Sequence, residues 1–279
     1  MAATGARAAD ALAAAIDALT AAGVDTPRLD AKILLSDLAG VDRATLIADR
    51  DLTLESPVAR AFAEAVRRRL RREPVAYILG SRGFRHIDLT VDRRVLIPRP
   101  ETEMLVELAL EAQPETVLEI GTGSGAIALA VADELPGCRV AATDISDGAI
   151  EVAVANARRL GLQERVSFTL GSLPPGPAGF DMILANLPYV PDSEGLPPEV
   201  GQWEPEGALF GGSDGTEVIA RVLDGLGESG ITAEVIGLEV GLGQAETVGA
   251  LVQRAGWPDV EVRPDLAGIE RVVVGRLAE

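Results

Sequence analysis

Histidine and cysteine are almost absent from this sequence of 279 residues, which contains one of each, His86 and Cys138. A single cysteine excludes a disulfide framework and a cysteine-ligated metal site. A single histidine excludes metal sites with two histidine ligands and leaves any histidine-based triad dependent on His86 alone. We therefore expect no metal site, a core position for Cys138 and a surface position for His86 in a β-hairpin.

Long apolar runs and an excess of basic residues are also lacking. No apolar run reaches the roughly 18 residues that a helix needs to cross a bilayer. Asp10 and Asp17 interrupt the alanine-rich beginning, which predicts a helix rather than a signal peptide. We expect a cytoplasmic protein that does not bind membranes. The net charge of −18 would repel the phosphates of nucleic acids, so we expect no direct nucleic-acid partner.

Residues 1–73 have helical periodicity and are predicted to form a small helical domain with a role in recognition. They carry as many acidic as basic side chains, so the whole negative excess falls on the rest of the chain. A dense arginine run covers residues 67–72. It is either the solvated face of a helix or a contact surface for an acidic protein or an RNA-bound partner.

The remaining sequence divides into two segments with different residue patterns. Residues 74–97 contain turn-forming glycines followed by alternating apolar residues, which predict a β-hairpin that links two domains. From residue 98 to 279, short apolar strands alternate with amphipathic helices. This alternation predicts an α/β fold, a doubly wound and mostly parallel sheet of seven strands.

Three glycines, Gly121, Gly123 and Gly125, lie between the first strand of this sheet and the following helix. Glycine lets the backbone approach a ligand closely at the carboxyl end of a strand. Glu119 would suit the ammonium group of a ligand better than a pyrophosphate. Asp144 ends the next strand, where it would either accept the two hydroxyls of a ribose or cap the next helix. The glycine spacing also satisfies the dinucleotide fingerprint, so an NAD-dependent oxidoreductase is an alternative.

A second candidate site follows the apolar strand that ends at Ala185, in the sequence Asn186-Leu187-Pro188-Tyr189. An asparagine amide both accepts and donates hydrogen bonds, and Pro188 stiffens the loop. The ring of Tyr189 can stack on a planar group. This combination suits a site that holds a planar NH₂ group, and an oxidoreductase would leave it unexplained.

Together these motifs resemble known methyltransferases. The pattern E-x-G-x-G-x-G with an acid after the next strand resembles class I S-adenosylmethionine (SAM) methyltransferases, and Asn-x-Pro-Tyr resembles the subgroup that methylates planar nitrogens. The combination is similar to the HemK/PrmC family, protein-(glutamine-N5) methyltransferases of peptide chain release factors. The segments that carry this likeness are EPVAYILG (73–80), PRPETE (98–103), LEIGTGSGAIALA (118–130), ATDIS (142–146) and EPEGALFGGSDG (204–215).

The resemblance implies roles for particular residues. The residues expected to bind SAM are Glu119, Gly121, Thr122, Gly123, Ser124, Gly125, Asp144, Leu173 and Asn186. The residues expected to act in catalysis are Asn186, Leu187, Pro188 and Tyr189. The family has a proline where this chain has Leu187, but the backbone carbonyl that would accept a hydrogen bond from the substrate is kept.

The implied reaction is methyl transfer to N5 of the glutamine in a Gly-Gly-Gln motif of a release factor, by a monomer whose helical domain helps to bind that substrate. The Asn186 side-chain oxygen and the Leu187 carbonyl would each accept one N–H of the substrate amide. Alternatives are a glutamine methyltransferase of a ribosomal protein, an N6-adenine methyltransferase of nucleic acid, and a SAM-binding adaptor without activity.

Overall fold

The computed structural model describes residues 6–49 and 51–278. Their helices are α1 (Ala8–Ala21), α2 (Pro27–Ala39), α3 (Arg43–Ala48), α4 (Ser56–Leu70), α5 (Val75–Leu79), α6 (Glu103–Ala112), α7 (Ala126–Glu134), α8 (Asp147–Leu160), α9 (Pro198–Gly201), α10 (Glu217–Ser229) and α11 (Ala245–Arg254). Their strands are β1 (Ala6–Arg7), β2 (Thr53–Leu54), β3 (Ser81–Phe84), β4 (Ile87–Thr90), β5 (Thr116–Ile120), β6 (Arg139–Asp144), β7 (Val166–Leu170), β8 (Gly179–Ala185), β9 (Thr232–Glu239), β10 (Asp259–Pro264) and β11 (Glu270–Arg276).

The chain forms two compact units. The first takes in the chain up to Gly80 together with Pro197–Trp203, and the second takes in Ser81–Leu196 and the chain from Glu204 onward. The hairpin of β3 and β4 lies in the second unit, whereas Val75–Leu79 forms a short helix of the first. The domain boundaries expected at residues 73/74 and 97/98 stay a prediction.

The first unit is helical, and α1, α2 and α4 enclose its apolar core. Leu19, Leu34 and Leu35 are fully buried there, and Phe62 of α4 packs in the same cluster. The amphipathic periodicity of these helices places one apolar stripe of each inward. None of the helices in the described ranges is long and apolar enough to cross a membrane.

The arginine run of the first unit divides between surface and interior. Arg67 pairs with Glu64 on the exposed face of α4. Arg69 is buried, and its guanidinium lies 2.7 Å from Asp30 and 2.8 Å from Glu199. Arg72 also pairs with Glu199, at 2.9 Å. The run is therefore only partly the solvated helix face that is one of the two interpretations of its sequence.

The second unit is built on a seven-stranded sheet with the order β10-β11-β9-β8-β5-β6-β7. The five strands from β9 to β7 in this order pair parallel to one another. Strand β11 is antiparallel to both of its neighbours, β9 and β10. The prediction of a doubly wound, mostly parallel sheet is confirmed. Cys138 is buried beside this sheet, where burial raises the pKa of its thiol to about 11. His86 lies exposed in the turn of the β3–β4 hairpin.

Strand order determines where loops converge. The first strand of the sheet in sequence is β5. Strands β6 and β7 follow on one side of it, and β8 then lies on its other side. Ligands in open α/β sheets bind at such a switch point, at the carboxyl ends of the strands. Ile120 of β5 pairs in register with Ala185 of β8, so the loops that follow these residues begin side by side.

We predict that Arg69→Met destabilises the first unit by about 3–5 kcal/mol, because it leaves the buried carboxylate of Asp30 without its partner. Urea unfolding, followed by the fluorescence of Trp203 in a Trp257→Phe background, measures the loss. Arg67→Met is the matched control in the same helix and should barely move the midpoint, since its ion pair is exposed. Equal effects of the two substitutions would contradict the structural role of Arg69.

Candidate active site

The glycine loop after β5 contains three left-handed glycines, with φ of 76° at Gly121, 55° at Gly123 and 84° at Gly125. A Cβ at Gly125 would lie 2.8 Å from Leu129 Cδ1, and one at Gly121 would lie 3.2 Å from Leu187 Cδ2. A Cβ on Gly123 would have no atom of the described chain within 4 Å, apart from Gly123 itself and its two neighbours in sequence. Two glycines thus allow close packing within the protein, and Gly123 faces open space that a ligand can enter.

Glu119 is 1% exposed at the end of β5. Its Oε2 accepts hydrogen bonds from Thr122 Oγ1 at 2.5 Å and from the Ala128 N–H at 3.1 Å. Burial raises the pKa of this carboxyl to about 8, although these hydrogen bonds oppose the shift. A cation bound beside it would lower that pKa again. Ser124 is also buried, and its backbone carbonyl accepts a hydrogen bond from Asn156 Nδ2.

Asp144 ends β6 with its carboxylate held in place by backbone donors. Oδ2 accepts from the Gly123 N–H at 2.9 Å, and Oδ1 accepts from the Ser146 N–H at 2.8 Å. The cap of α8 is Ser146, whose Oγ accepts from the Ala149 N–H. Asp144 is thereby tied to the glycine loop.

Two exposed apolar residues that the sequence analysis missed flank Asp144. Ile145 is 74% exposed, and Leu170, which pairs in register with Asp144, is 55% exposed. Their signal in the sequence was an apolar residue at a strand's carboxyl end, Leu170 as the last residue of β7 and Ile145 directly after β6. Leu173, expected at the cofactor, is half-buried and packs against the core, next to Gly225 of α10.

The loop from Asn186 to Tyr189 begins directly after β8. The Leu187 side chain is buried in the core against Gly121, which links this loop to the glycine loop. Asn186 Nδ2 donates to Thr102 Oγ1 at 3.0 Å, and the Tyr189 hydroxyl donates to Glu239 Oε1 at 3.1 Å. Burial, followed by the nearby Glu239 carboxyl, raises the pKa of Tyr189 above its ordinary value.

The backbone of the same loop is supported by a second glycine-rich segment. A Cβ at Gly211 would lie 2.5 Å from the Pro188 carbonyl oxygen, and one at Gly215 would overlap the Tyr189 carbonyl oxygen. Gln244 Nε2 donates to that Tyr189 carbonyl at 2.8 Å. The motif EPEGALFGGSDG therefore serves to fix the Asn186–Tyr189 loop, a role that its sequence did not indicate.

Glu204, the first residue of this motif, binds the segment that precedes α6. Its Oε2 accepts a hydrogen bond from the Ile97 N–H at 3.0 Å, and its Oε1 accepts one from Arg99 Nη2 at 2.5 Å. In the described ranges no group of three or more His, Cys, Asp or Glu side chains is arranged to hold a metal ion.

Solved structures with the same fold include the catalytic domain of hMettl16 in complex with MAT2A 3′UTR hairpin 1. It has a TM-score of 0.55 and 13% identity, with 83% of this chain and 85% of that chain covered. A methyltransferase from Pyrococcus furiosus has a TM-score of 0.51 and 17% identity, with 69% and 90% covered. The family models "PrmC N-terminal domain" and "Methyltransferase domain" match residues 10–80 and 117–196. Sheet topology, glycine loop and these matches define a class I methyltransferase.

Curated relatives extend the likeness to nearly the whole chain. The release factor glutamine methyltransferase of Geobacter sulfurreducens is 42% identical over 261 residues, with 91% of each chain covered. The protein of that name from Cereibacter sphaeroides is 40% identical, with 97% of this chain and 99% of its own length covered. The chain belongs to the release factor glutamine methyltransferase family.

We predict that Gly211→Ala destabilises the second unit by about 1–3 kcal/mol, because the new methyl group overlaps the backbone at Pro188. Methyl transfer should fall with it, since the loop must shift. Gly207→Ala in the same segment is the control, as nothing lies within 4 Å of its added Cβ. Urea unfolding and initial rates compare the two variants, and a Gly211→Ala protein as stable as Gly207→Ala would refute the packing argument.

Proposed function

We propose that this protein transfers the methyl group of SAM to the side-chain nitrogen N5 of the glutamine in the Gly-Gly-Gln motif of a peptide chain release factor. The observation that carries the proposal is the pair of acceptors beyond β8. In the described chain no donor bonds the Asn186 side-chain oxygen or the Leu187 carbonyl oxygen. These two acceptors, on adjacent residues, can receive the two N–H groups of one carboxamide.

The residues around the glycine loop fit SAM. The open space at Gly123, whose N–H donates to the Asp144 carboxylate, suits a ligand that approaches the backbone. We assign the Asp144 carboxylate to the ribose hydroxyls and the buried Glu119 carboxyl to the ammonium group, which would restore its charge. Ile145 and Leu170 offer apolar surface to a flat base beside Asp144. SAM, when bound, supplies an electrophilic methyl group.

The loop residues orient the substrate nitrogen. The Asn186 side-chain oxygen and the Leu187 carbonyl oxygen each accept one N–H, which fixes the position of the nitrogen and increases the electron density on it. Orientation of this kind contributes roughly 7–11 kcal/mol in favourable intramolecular cases. Pro188 and the Tyr189 ring pack against the amide plane. The Tyr189 hydroxyl stays protonated because its pKa is raised, so it does not serve as the proton acceptor.

We also propose the release factor as the partner that the helical first unit recognises. The net charge of −18 favours a protein over a nucleic-acid substrate. Within the arginine run, Arg69 and Arg72 are engaged by Asp30 and Glu199 of the same unit. These two arginines are thus paired within the unit, and other residues of it would contact the release factor. The protein would act as a cytoplasmic monomer.

The experiment mixes the protein with methyl-labelled SAM and, separately, a release factor, a ribosomal protein fraction and DNA. We expect label on the release factor alone, and none when the glutamine of its Gly-Gly-Gln motif is replaced by alanine. We expect Asn186→Ala to lower kcat by about 10²–10³-fold, as removal of one preorganised hydrogen-bonding group does elsewhere. Label on DNA or on a ribosomal protein, or full activity of Asn186→Ala, would refute the proposal.

Proton release on SAM binding tests the role of Glu119. At pH 7 the solution is below the raised pKa of about 8 of the Glu119 carboxyl, which therefore holds a proton. A bound ammonium group would displace that proton. Calorimetry in buffers of different ionisation enthalpy should therefore detect about one proton released by the wild type and none by Glu119→Gln. Equal proton release by both proteins would place the ammonium group elsewhere.

A further inference from the structure

Thr102 and Glu239 join the two functional side chains of the Asn186–Tyr189 loop in one hydrogen-bonded chain. Asn186 Nδ2 donates to Thr102 Oγ1 at 3.0 Å, and Thr102 Oγ1 donates to Glu239 Oε2 at 2.7 Å. The other oxygen of Glu239 accepts from the Tyr189 hydroxyl at 3.1 Å. Thr102 is 4% exposed and Glu239 is 2% exposed, so water has little access to these hydrogen bonds.

The direction of every hydrogen bond in this chain follows from the number of protons. In its ionised form Glu239 only accepts hydrogen bonds, so the hydroxyls of Thr102 and Tyr189 both point their hydrogens at it. Burial raises the pKa of this carboxyl, and the hydrogen bonds from Thr102 and Tyr189 oppose that shift. The Thr102 oxygen has then used its one hydrogen and can only accept. The side-chain group of Asn186 that faces it must be the NH₂ group, which turns the carbonyl oxygen of Asn186 away from Thr102.

Packing alone does not account for these residues. Glu239 ends β9, and its neighbours along the strand, Leu238 and Val240, are apolar and buried. Burying a carboxyl there is costly unless hydrogen bonds compensate for it, and an apolar side chain would avoid that cost. Thr102 lies in a 3-10 turn before α6, remote in sequence from both β8 and β9. Three separate segments thus supply one polar chain that ends on Asn186.

We propose that Thr102 and Glu239 are positioning residues that fix the orientation of the Asn186 amide and so select a carboxamide over a carboxylate. This inference rests on the proposed function, in which the Asn186 oxygen accepts an N–H of glutamine. A reversed Asn186 would present its NH₂ group instead. The NH₂ group and the N–H of glutamine are both donors and cannot bond to each other. The same NH₂ group would donate a hydrogen bond to the carboxylate of a glutamate at that position.

The test replaces the hydroxyl of Thr102. Thr102→Val keeps the shape of the side chain but frees Asn186 to rotate, and we expect kcat for the release factor to fall about tenfold with little change in the Kd of SAM. Thr102→Ser keeps the hydroxyl and should restore kcat to within about threefold. Thr116→Val is the control, because it removes a threonine–carboxylate contact, to Asp181, at the opposite end of β5. It should leave kcat unchanged.

Selectivity supplies a readout that a merely structural role would not move. A release factor with glutamate in place of the motif's glutamine should inhibit Thr102→Val about tenfold more strongly than the wild type. In the Asn186→Ala background, Thr102→Val should have no further effect on kcat, since it acts through Asn186.

The outcomes separate this inference from the proposed function. If Asn186→Ala is inactive but Thr102→Val keeps full kcat and selectivity, positioning by Thr102 is refuted and the proposed function stands. If the wild type does not methylate a release factor, the proposed function itself fails. If Thr102→Ser is as impaired as Thr102→Val, the hydroxyl is not what matters and the inference is also refuted.

Discussion

The pairing of β5 with β8 is the constraint on which the site depends. It aligns Ile120 with Ala185, so the glycine loop and the Asn186–Tyr189 loop leave the sheet at adjacent points. The absence of a Cβ at Gly121 then lets Leu187 pack against the glycine loop. In the proposed function, one loop offers space for the methyl donor and the other offers hydrogen-bond acceptors to the substrate. A shift in this register would separate the two functions while leaving each loop intact.

Leu187 illustrates how packing replaces a conformational restraint. The resemblance to Asn-Pro-Pro-Tyr loops implies a proline at this position, which would stiffen the loop through its fixed φ. In this chain the buried Leu187 side chain anchors the loop in the core instead, and the glycines at 211 and 215 close on the backbone of the next two residues. The carbonyl of Leu187 needs only a fixed position. Burial of the leucine side chain can fix it as well as the ring of a proline can.

Much of the second unit could be predicted from the sequence, because its strands are short apolar runs bounded by glycine or charged residues. The regular alternation of these strands with helices predicts the mostly parallel topology that the sheet has. The support of the loop could not be predicted in this way. Thr102 and Glu239 lie in other segments, and only the folded sheet brings them to Asn186. The glutamate that ends β9 directly after the run Val-Ile-Gly-Leu was the one available signal.

The assignment of Pro197–Trp203 to the helical unit has a consequence for dissecting this protein. The chain passes between the units three times, after Gly80, after Leu196 and after Trp203. A fragment that begins after Gly80 would retain Glu199 but lose Arg69 and Arg72, the two arginines with which Glu199 forms ion pairs. The catalytic half is therefore not a modular domain that truncation can isolate, and shuffling helical halves between relatives would require exchanging this short insert as well.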